Sequence, residues 1–502
     1  MQNLLTAAQT KAADVYTIQQ QKISSIDLME NAAAAFVKAF IKEVADKKVT
    51  ISIFCGQGNN GGDGLAIARL LAKENYKNLT VYLINFSDKQ SDDNKCNLKR
   101  LQQTKIPITT INKLAELENV TCNVVIDAVL GSGLNKHLQG NYLGLAQLMN
   151  NQSSKIIAVD VPTGFNAEGE ILTDYNGVKA DLVICFQRPK INFFFPESAK
   201  ALVRFKVVNI GLDENFIEKQ PSFWKLTTKN DIKQIIKPRA NFTHKGTYGH
   251  ALIISGNENT MGAALLAASA CLHSGAGLTT VCLPQSGLIA LNTSLPEIMA
   301  LPRNEKLDLQ TFQKFNVIAI GPGLGLEEEN EKLFKKLIGL QKPLVIDADG
   351  LTIVSNNIDL LSKLPANTIL TPHLKEFDRL FGEHQNWWQR IETAREKAQK
   401  LNIIIVLKNQ YTFVCLPTGD ICINQTGNPA MASGGMGDVL TGIITSLLAQ
   451  GNTAEQAAIL GVYLHGKAGD DLAKKSFTVT ASQVALQIPR TLKNLLKTDK
   501  KD

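Results

Sequence analysis

No run of 18 apolar residues occurs anywhere in the chain, which argues against a membrane-spanning helix. The eight cysteines include no C-x-x-C pair, and most sit in apolar runs such as DLVICF and TTVCLP. A zinc ribbon or disulfide framework is therefore excluded, and buried thiols in a reducing compartment are expected. The N-terminus, MQNLLTAAQTKAADVY, lacks the charged segment and apolar core of a secretory signal. A cytoplasmic protein with no membrane association is the expectation. Charge imbalance is also small, at +7 over 502 residues. Its one dense cluster, KTDKK near the C-terminus, reads as a solvated end. No aromatic-basic motif accompanies it, so nucleic-acid binding is not expected. Low-complexity segments and close internal repeats are missing too. What is present is an ordinary globular composition, 44% hydrophobic and 20% charged, on a chain long enough for two or three full cores.

Helical periodicity is clear from Ser24 to Val44, Ala-rich and with an Asp near its start. Strand-like runs then alternate with helical ones: VTISIF, LTVYLIN, CNVVIDAVL, KIIAVDVP, ADLVICF and VRFKVVNI. Short, β-branched and nearly continuous apolar strands of this kind predict a parallel sheet covered on both faces. After Gly211 the pattern lapses into the polar, aperiodic stretch DENFIEKQPSFWKLTTKN, which places a domain boundary near residue 222. A second series follows: HALIISG, LTTVCLP, FNVIAIGPG, KPLVIDADG, ANTILTPH and NIIIVLKN. The reading is two tandem α/β domains, 1–222 and 223–502.

The stretch CGQGNNGGDGLAIARLLA contains a G-x-G-x-x-G match at Gly56, Gly58 and Gly61. A dinucleotide fold also needs an acid at the end of the second strand to bind the ribose. That strand ends here in Asn85, and the first acid, Asp88, already lies in a loop. The match alone is weak. NNGGD, however, adds two amides and a carboxylate on backbone that glycine leaves free to bend. Asp127 closes a later strand and is followed by GSGLNKH, whose backbone N–H groups can face an anion. VDVPTG puts Asp160 and Thr163 at another strand end. Ligands of open α/β sheets bind beyond the carboxyl ends of the strands, so these three loops can converge. Asn60, Asp127 and Thr163 are all oxygen donors, suited to a hard cation. Asp160 is read as the proton-handling group; its alternative is a structural Asp binding turn amides before Pro162.

GNNGGDG, the LMENAA helix, DAVLGSG and VDVPTG together resemble the epimerase half of the bifunctional NAD(P)H-hydrate repair enzymes, over roughly the first 215 residues. The resemblance implies a Rossmann-like three-layer α/β/α fold for this half. It also implies that Asn59, Asn60, Gly61, Gly62, Asp63, Gly131, Ser132, Gly133, Leu134, Asn135, Lys136, His137 and Asp160 contact the hydrated dinucleotide. A potassium ion would be bound by Asn60, Asp127 and Thr163.

In the second domain the strongest signal is NPAMASGGMGDVLTGIITSLLAQG. A glycine turn feeding a helix presents unpaired N–H groups to phosphate, aided by the helix dipole. Asp438 falls in the first helical turn, where it either serves the same site or caps the helix. GNENTMGAA, GPGLG, DADGL and TPHLKEF add glycine, Asp or His at or just beyond strand ends. This set resembles the ribokinase-like fold, and within it the ADP-dependent NAD(P)H-hydrate dehydratase, from about Lys237 to about Ile488. The resemblance implies that Ala263, Gly323, His373 and Asp438 contact the hydrate. Lys408, Asn409, Gln410, Tyr411 and Thr412 would surround the adenine nucleotide. So would Asn428, Pro429, Ala430, Met431, Ala432, Ser433, Gly434, Gly435, Met436 and Gly437.

Removing the ring hydroxyl is slow, and phosphorylating it gives a better leaving group, so a kinase fold suits a dehydratase. Asp438 would accept the hydroxyl proton, with positioning and charge stabilisation supplying the rest. The chain departs from the family pattern at Leu374 and Lys375, where Pro-Gly is usual, at Asn409 after Lys408, and in GNENTMGAA. The reading is then an isomerase and lyase in one chain, a metabolite-repair enzyme acting on hydrated NADH and NADPH with ADP. Potassium in the first half and magnesium with ADP in the second are implied by the same resemblance, while a homo-oligomer is one state the sequence leaves open. The competing readings are a ribokinase-like small-molecule kinase and a non-catalytic binding protein. Loss of Asp127 or Asp160 would favour the latter; both are present.

Overall fold

The computed structural model describes residues 1–117, 120–133, 136–303 and 307–497. The chain divides into two compact units: residues 3–222 with 386–388, and residues 1–2, 223–385 and 389–502.

In the first unit, β1 (Ile51–Cys55), β2 (Leu79–Ile84), β3 (Ile108–Ile111), β4 (Val124–Ala128), β5 (Lys155–Val159), β6 (Leu182–Phe186) and β7 (Phe205–Val208) form one sheet in the order 3-2-1-4-5-6-7. Every pairing is parallel. Ile53, Val81, Ile126 and Ile157 are buried together with Phe36 and Phe40 of the helix Ser25–Glu43. That helix starts where the sequence suggests, at a reciprocal cap between Ser24 and Asp27. The chain runs outward from β1 to β3, then returns to place β4 on the other side of β1. The strand order therefore reverses between β1 and β4, opening a crevice at their carboxyl ends. β3 was not read from the sequence: ITTI is short, sits at the sheet edge and exposes its two threonines.

In the second unit, β8 (Trp224–Leu226), β9 (His250–Ile254), β10 (Leu278–Leu283), β11 (Met299–Pro302), β12 (Val317–Ile320), β13 (Leu344–Ile346), β14 (Ile369–Leu370), β15 (Ile404–Leu407), β16 (Thr412–Cys415) and β17 (Ile421–Asn424) are ordered 8-17-16-15-14-13-12-9-10-11. The central strands are parallel, while β16 pairs antiparallel with both β15 and β17. The stretch read as aperiodic carries a short helix, Glu214–Glu218, and β8, whose Trp224 is buried. β8 owes its form to pairing with β17, two hundred residues away in sequence, so no local period announces it. Among the described residues no helix is long and apolar enough to cross a membrane. All eight cysteines are free, six of them buried.

Candidate active sites

The loops after β1, β4 and β5 meet at the crevice of the first unit. Asn59 and Asn60 begin the helix Asn59–Lys73, which starts inside the glycine motif. Gly61 has no room for a side chain, because a Cβ there would lie 1.8 Å from the Gly56 carbonyl oxygen. Asn60 is buried, and its Nδ2 donates to the Leu130 carbonyl at 3.1 Å. Asp127 is fully buried within β4. Its carboxylate accepts the Thr163 N–H at 2.7 Å and the Thr163 hydroxyl at 2.6 Å. Thr163 Oγ1 in turn accepts the Leu130 N–H at 3.0 Å. Burial pushes the Asp127 pKa up, against the opposing pull of the Thr163 hydrogen bonds. Asn60, Asp127 and Thr163 are thus brought together. Their oxygens fit a monovalent cation, which needs fewer formal charges than a divalent one.

Beside this network lies a cavity of about 790 Å³ lined by Asn59, Asn60, Asp63, Gly131, Ser132, Gly133 and Asp160. Asp160 adopts a left-handed backbone with φ of 64°. Its Oδ1 pairs with Lys190 Nζ at 2.8 Å and accepts the Phe186 N–H at 3.0 Å. Burial would lower the Lys190 pKa, but Asp160 and Cys185 outweigh it and the net direction is up. Asp63 is pushed well above the usual carboxylate range, by burial first and then by Asp160, Asp14 and Asp93. Leu134 and Asn135 lie outside the described residues. Lys136 and His137 do not line the cavity, and His137 pairs instead with Asp174 at 3.1 Å. The sequence reading missed Lys190 and the helix Ala7–Gln21, which brings Lys11 and Asp14 to the same cavity. No motif marks either, since both are ordinary charged residues outside the glycine loops.

The second unit places its chemistry at the carboxyl ends of β12, β13, β14 and β15. Gly435, with φ of 86°, turns the chain into the helix Met436–Ala449, and Asp438 occupies its first turn. The helix thus begins two residues before Asp438. Burial, with Asp347 adding to it, raises the Asp438 pKa to about 6 against the pull of Lys408. Lys408 Nζ pairs with Asp347 Oδ1 at 2.8 Å, and the Thr441 hydroxyl donates to Asp347 Oδ2 at 2.7 Å. Lys408 is therefore engaged inside the protein, although it also borders the nucleotide-sized cavity described next. Asp347 belongs to DADGL and was not singled out from sequence. Between it and Asp349, Ala348 holds φ 49° and ψ −118°, a conformation that side-chain-bearing residues avoid. Asp349 accepts the Gly325 N–H at 2.9 Å.

Ala263 lies in the first turn of the helix Met261–Ser274. Gly323 reaches the same place, its carbonyl accepting the Thr260 hydroxyl at 2.7 Å. His373 caps the helix Leu374–Phe381, its Nδ1 accepting the N–H groups of Lys375 and Glu376. A distinct cavity of about 530 Å³ is lined by Lys408 to Thr412, Asn428, Pro429, Met431, Ala432, Met436 and Gly437. Ala430, Ser433, Gly434 and Gly435 are not on its wall. His465 is, and was not expected from sequence. Burial and Lys408 lower its pKa to about 4, and its Nε2 finds no hydrogen-bond partner among the described residues.

Residues 25–192 match the family model for the YjeF-related protein N-terminus, and residues 251–490 match that for NAD(P)H-hydrate dehydratase. A bifunctional NAD(P)H-hydrate repair enzyme of Thermofilum pendens is 32% identical, over 97% of this chain and 94% of its own. One of Moorella thermoacetica is 32% identical over 98% and 97%. A ribokinase-like superfamily protein of Enterococcus faecalis superposes on 56% of this chain and 99% of its own, with TM-score 0.52 and 31% identity. Identity of this extent along both halves shows the family: the chain belongs to the bifunctional NAD(P)H-hydrate repair enzymes.

Proposed function

We propose that this chain returns hydrated NADH and NADPH to use in two steps. Residues 1–222 epimerise the R and S hydrates, and residues 223–502 dehydrate the S hydrate with ADP, yielding AMP and phosphate. The observation that carries the reading is the pairing of two strand-end clefts on one chain, matched along nearly its whole length by relatives named for this repair. A lone small-molecule kinase has no use for the first cleft, and a binding protein has no need of Asp160 and Asp438 together.

In the first cleft, Asn59, Asn60, Asp63, Gly131, Ser132, Gly133 and Asp160 hold the hydrated dinucleotide, while Gly61 and Gly62 shape the loop behind them. A potassium ion held by Asn60, Asp127 and Thr163 would tie their loops into one binding surface. In the second, the hydrate lies against Ala263, Gly323, His373 and Asp438. Phosphates face the N–H groups of Met436 and Gly437 in the first turn of the helix that follows the glycine turn. Asp438 accepts the ring hydroxyl proton as that oxygen attacks the terminal phosphorus, and AMP leaves. The phosphorylated hydrate then expels phosphate and gives up a ring proton, closing the double bond. Magnesium would come with ADP, supplying charge neutralisation at the phosphates; among the described residues no three acids or histidines form a metal cluster. The setting is the cytoplasm, and the substrates are small molecules.

The test is to incubate the purified chain with separated epimers of hydrated NADH, with and without ADP, and follow the return of reduced-nicotinamide absorbance. Both epimers should recover with ADP. No recovery of the S epimer with ADP or ATP defeats the reading.

A further inference from the structure

The helix Ala7–Gln21 precedes the region matched by the first family model, yet it forms one wall of the epimerase cavity. Ala7, Thr10, Lys11 and Asp14 all line it, at the spacing of one helical face. Asp14 carries the only carboxyl on that face. It accepts no hydrogen bond from any described residue, unlike Asp160, which has Lys190 and the Phe186 amide. Asp14, Asp63 and Asp160 therefore share one cavity with one buried ammonium, Lys190, because Lys11 is exposed. With one buried ammonium among three acidic side chains, like-charge repulsion and burial favour keeping a proton at this cavity.

We propose that Asp14 is a catalytic residue of the epimerase, the acid that protonates the departing hydroxyl while Asp160 receives the proton of the water replacing it. The proposal rests on the epimerase reading above. Hydration of an enamine leaves the hydroxyl on the carbon bonded to the ring nitrogen. Asp14 gives its proton to that oxygen, the C–O bond breaks with both electrons leaving on water, and the nitrogen lone pair closes a C=N bond. Water then adds to the other face of the carbon, the π electrons return to nitrogen, and Asp160 takes the extra proton. One proton has passed from Asp14 to Asp160, and the reverse sequence converts the other epimer. Burial raises the Asp14 pKa to about 6, with Lys190 opposing and Asp160 adding, which suits a group that must both hold and release a proton near neutrality. Asp63 is pushed further up and serves better as a fixed hydrogen-bond donor to the substrate.

The experiment uses the full chain and the two separated hydrates with ADP supplied. The S hydrate reports dehydration alone, and the R hydrate must be epimerised first. Asp14→Asn should slow recovery from the R hydrate at least about 100-fold while recovery from the S hydrate stays as in the wild type. Asp63→Asn, which keeps a donor in place, should cost less than about tenfold. In water labelled with heavy oxygen, the epimer formed should carry solvent oxygen at the inverted carbon. An Asp14→Asn chain that keeps a third or more of the R-hydrate rate overturns the proposal, as does retention of the original oxygen. If the wild type never consumes the R hydrate, the epimerase reading itself fails and the proposal falls with it.

Discussion

Replacing Asp438 by Asn removes a proton acceptor while keeping size and shape. The carboxyl sits in the first turn of its helix, half-buried, and feels the charges of Asp347, Lys408 and Asp349. Burial first, and the like charge of Asp347 second, bring its pKa to about 6. At pH 7 the base is then largely ionised, and turnover should fall as pH drops below about 6. The sign follows from the role: a base works only when unprotonated, so activity is present above the pKa and lost as pH drops through it. Asp438→Asn should lower dehydration of the S hydrate by about 10²- to 10⁴-fold. Nucleotide affinity and R-to-S interconversion should change less than about threefold. Asp347→Asn should move the acid limb of the wild-type profile to lower pH, because it removes a like charge and frees Lys408 to face Asp438. The assay is absorbance recovery from the S hydrate with ADP, between about pH 5 and 8, beside nucleotide binding by calorimetry. A fall below about threefold in Asp438→Asn would reduce the residue to a helix-terminal charge. A wild-type profile flat to pH 5 would refute the assigned base.

Asp127→Ala should weaken epimerisation while leaving S-hydrate dehydration intact, and exchanging potassium for a large organic cation should do the same to the wild type; equal rates in both cations would leave Asn60, Asp127 and Thr163 as turn formers. Gly61→Ala would press a methyl group onto the Gly56 carbonyl. It should cost about 1–3 kcal/mol and most epimerase activity, and an unchanged thermal midpoint with full epimerisation would contradict the packing argument.

The legible parts of this chain were those whose pattern is local. β1, β4 and β5 are short apolar runs that end in polar loops, and so they gave both the sheet and the positions of Asn60, Asp127 and Asp160. The antiparallel pair β16 and β17 was not read, because each is four residues long and is stabilised by its partner more than by its own composition. The same limit hid half of the epimerase cavity. Asp14 looks like one more polar residue on a helix, and Lys190 like one more cation in a turn, until the fold sets them beside Asp160. Asp347 illustrates a third case. Its motif was visible, but the contacts with Lys408 and Thr441 that give it a role span sixty-one and ninety-four residues of chain.

Ala348 has a consequence for how the second site can change over time. Its backbone sits where alanine is disfavoured, at a cost on the order of 1–3 kcal/mol. The carboxylates on either side are each tied down, Asp347 by Lys408 and Thr441, Asp349 by the Gly325 amide. Those ties hold the strained peptide in place from both sides, so losing one removes part of what opposes its relaxation. Substitutions at Lys408 or Thr441, which tie Asp347, should therefore be felt at Asp349 through the backbone of Ala348.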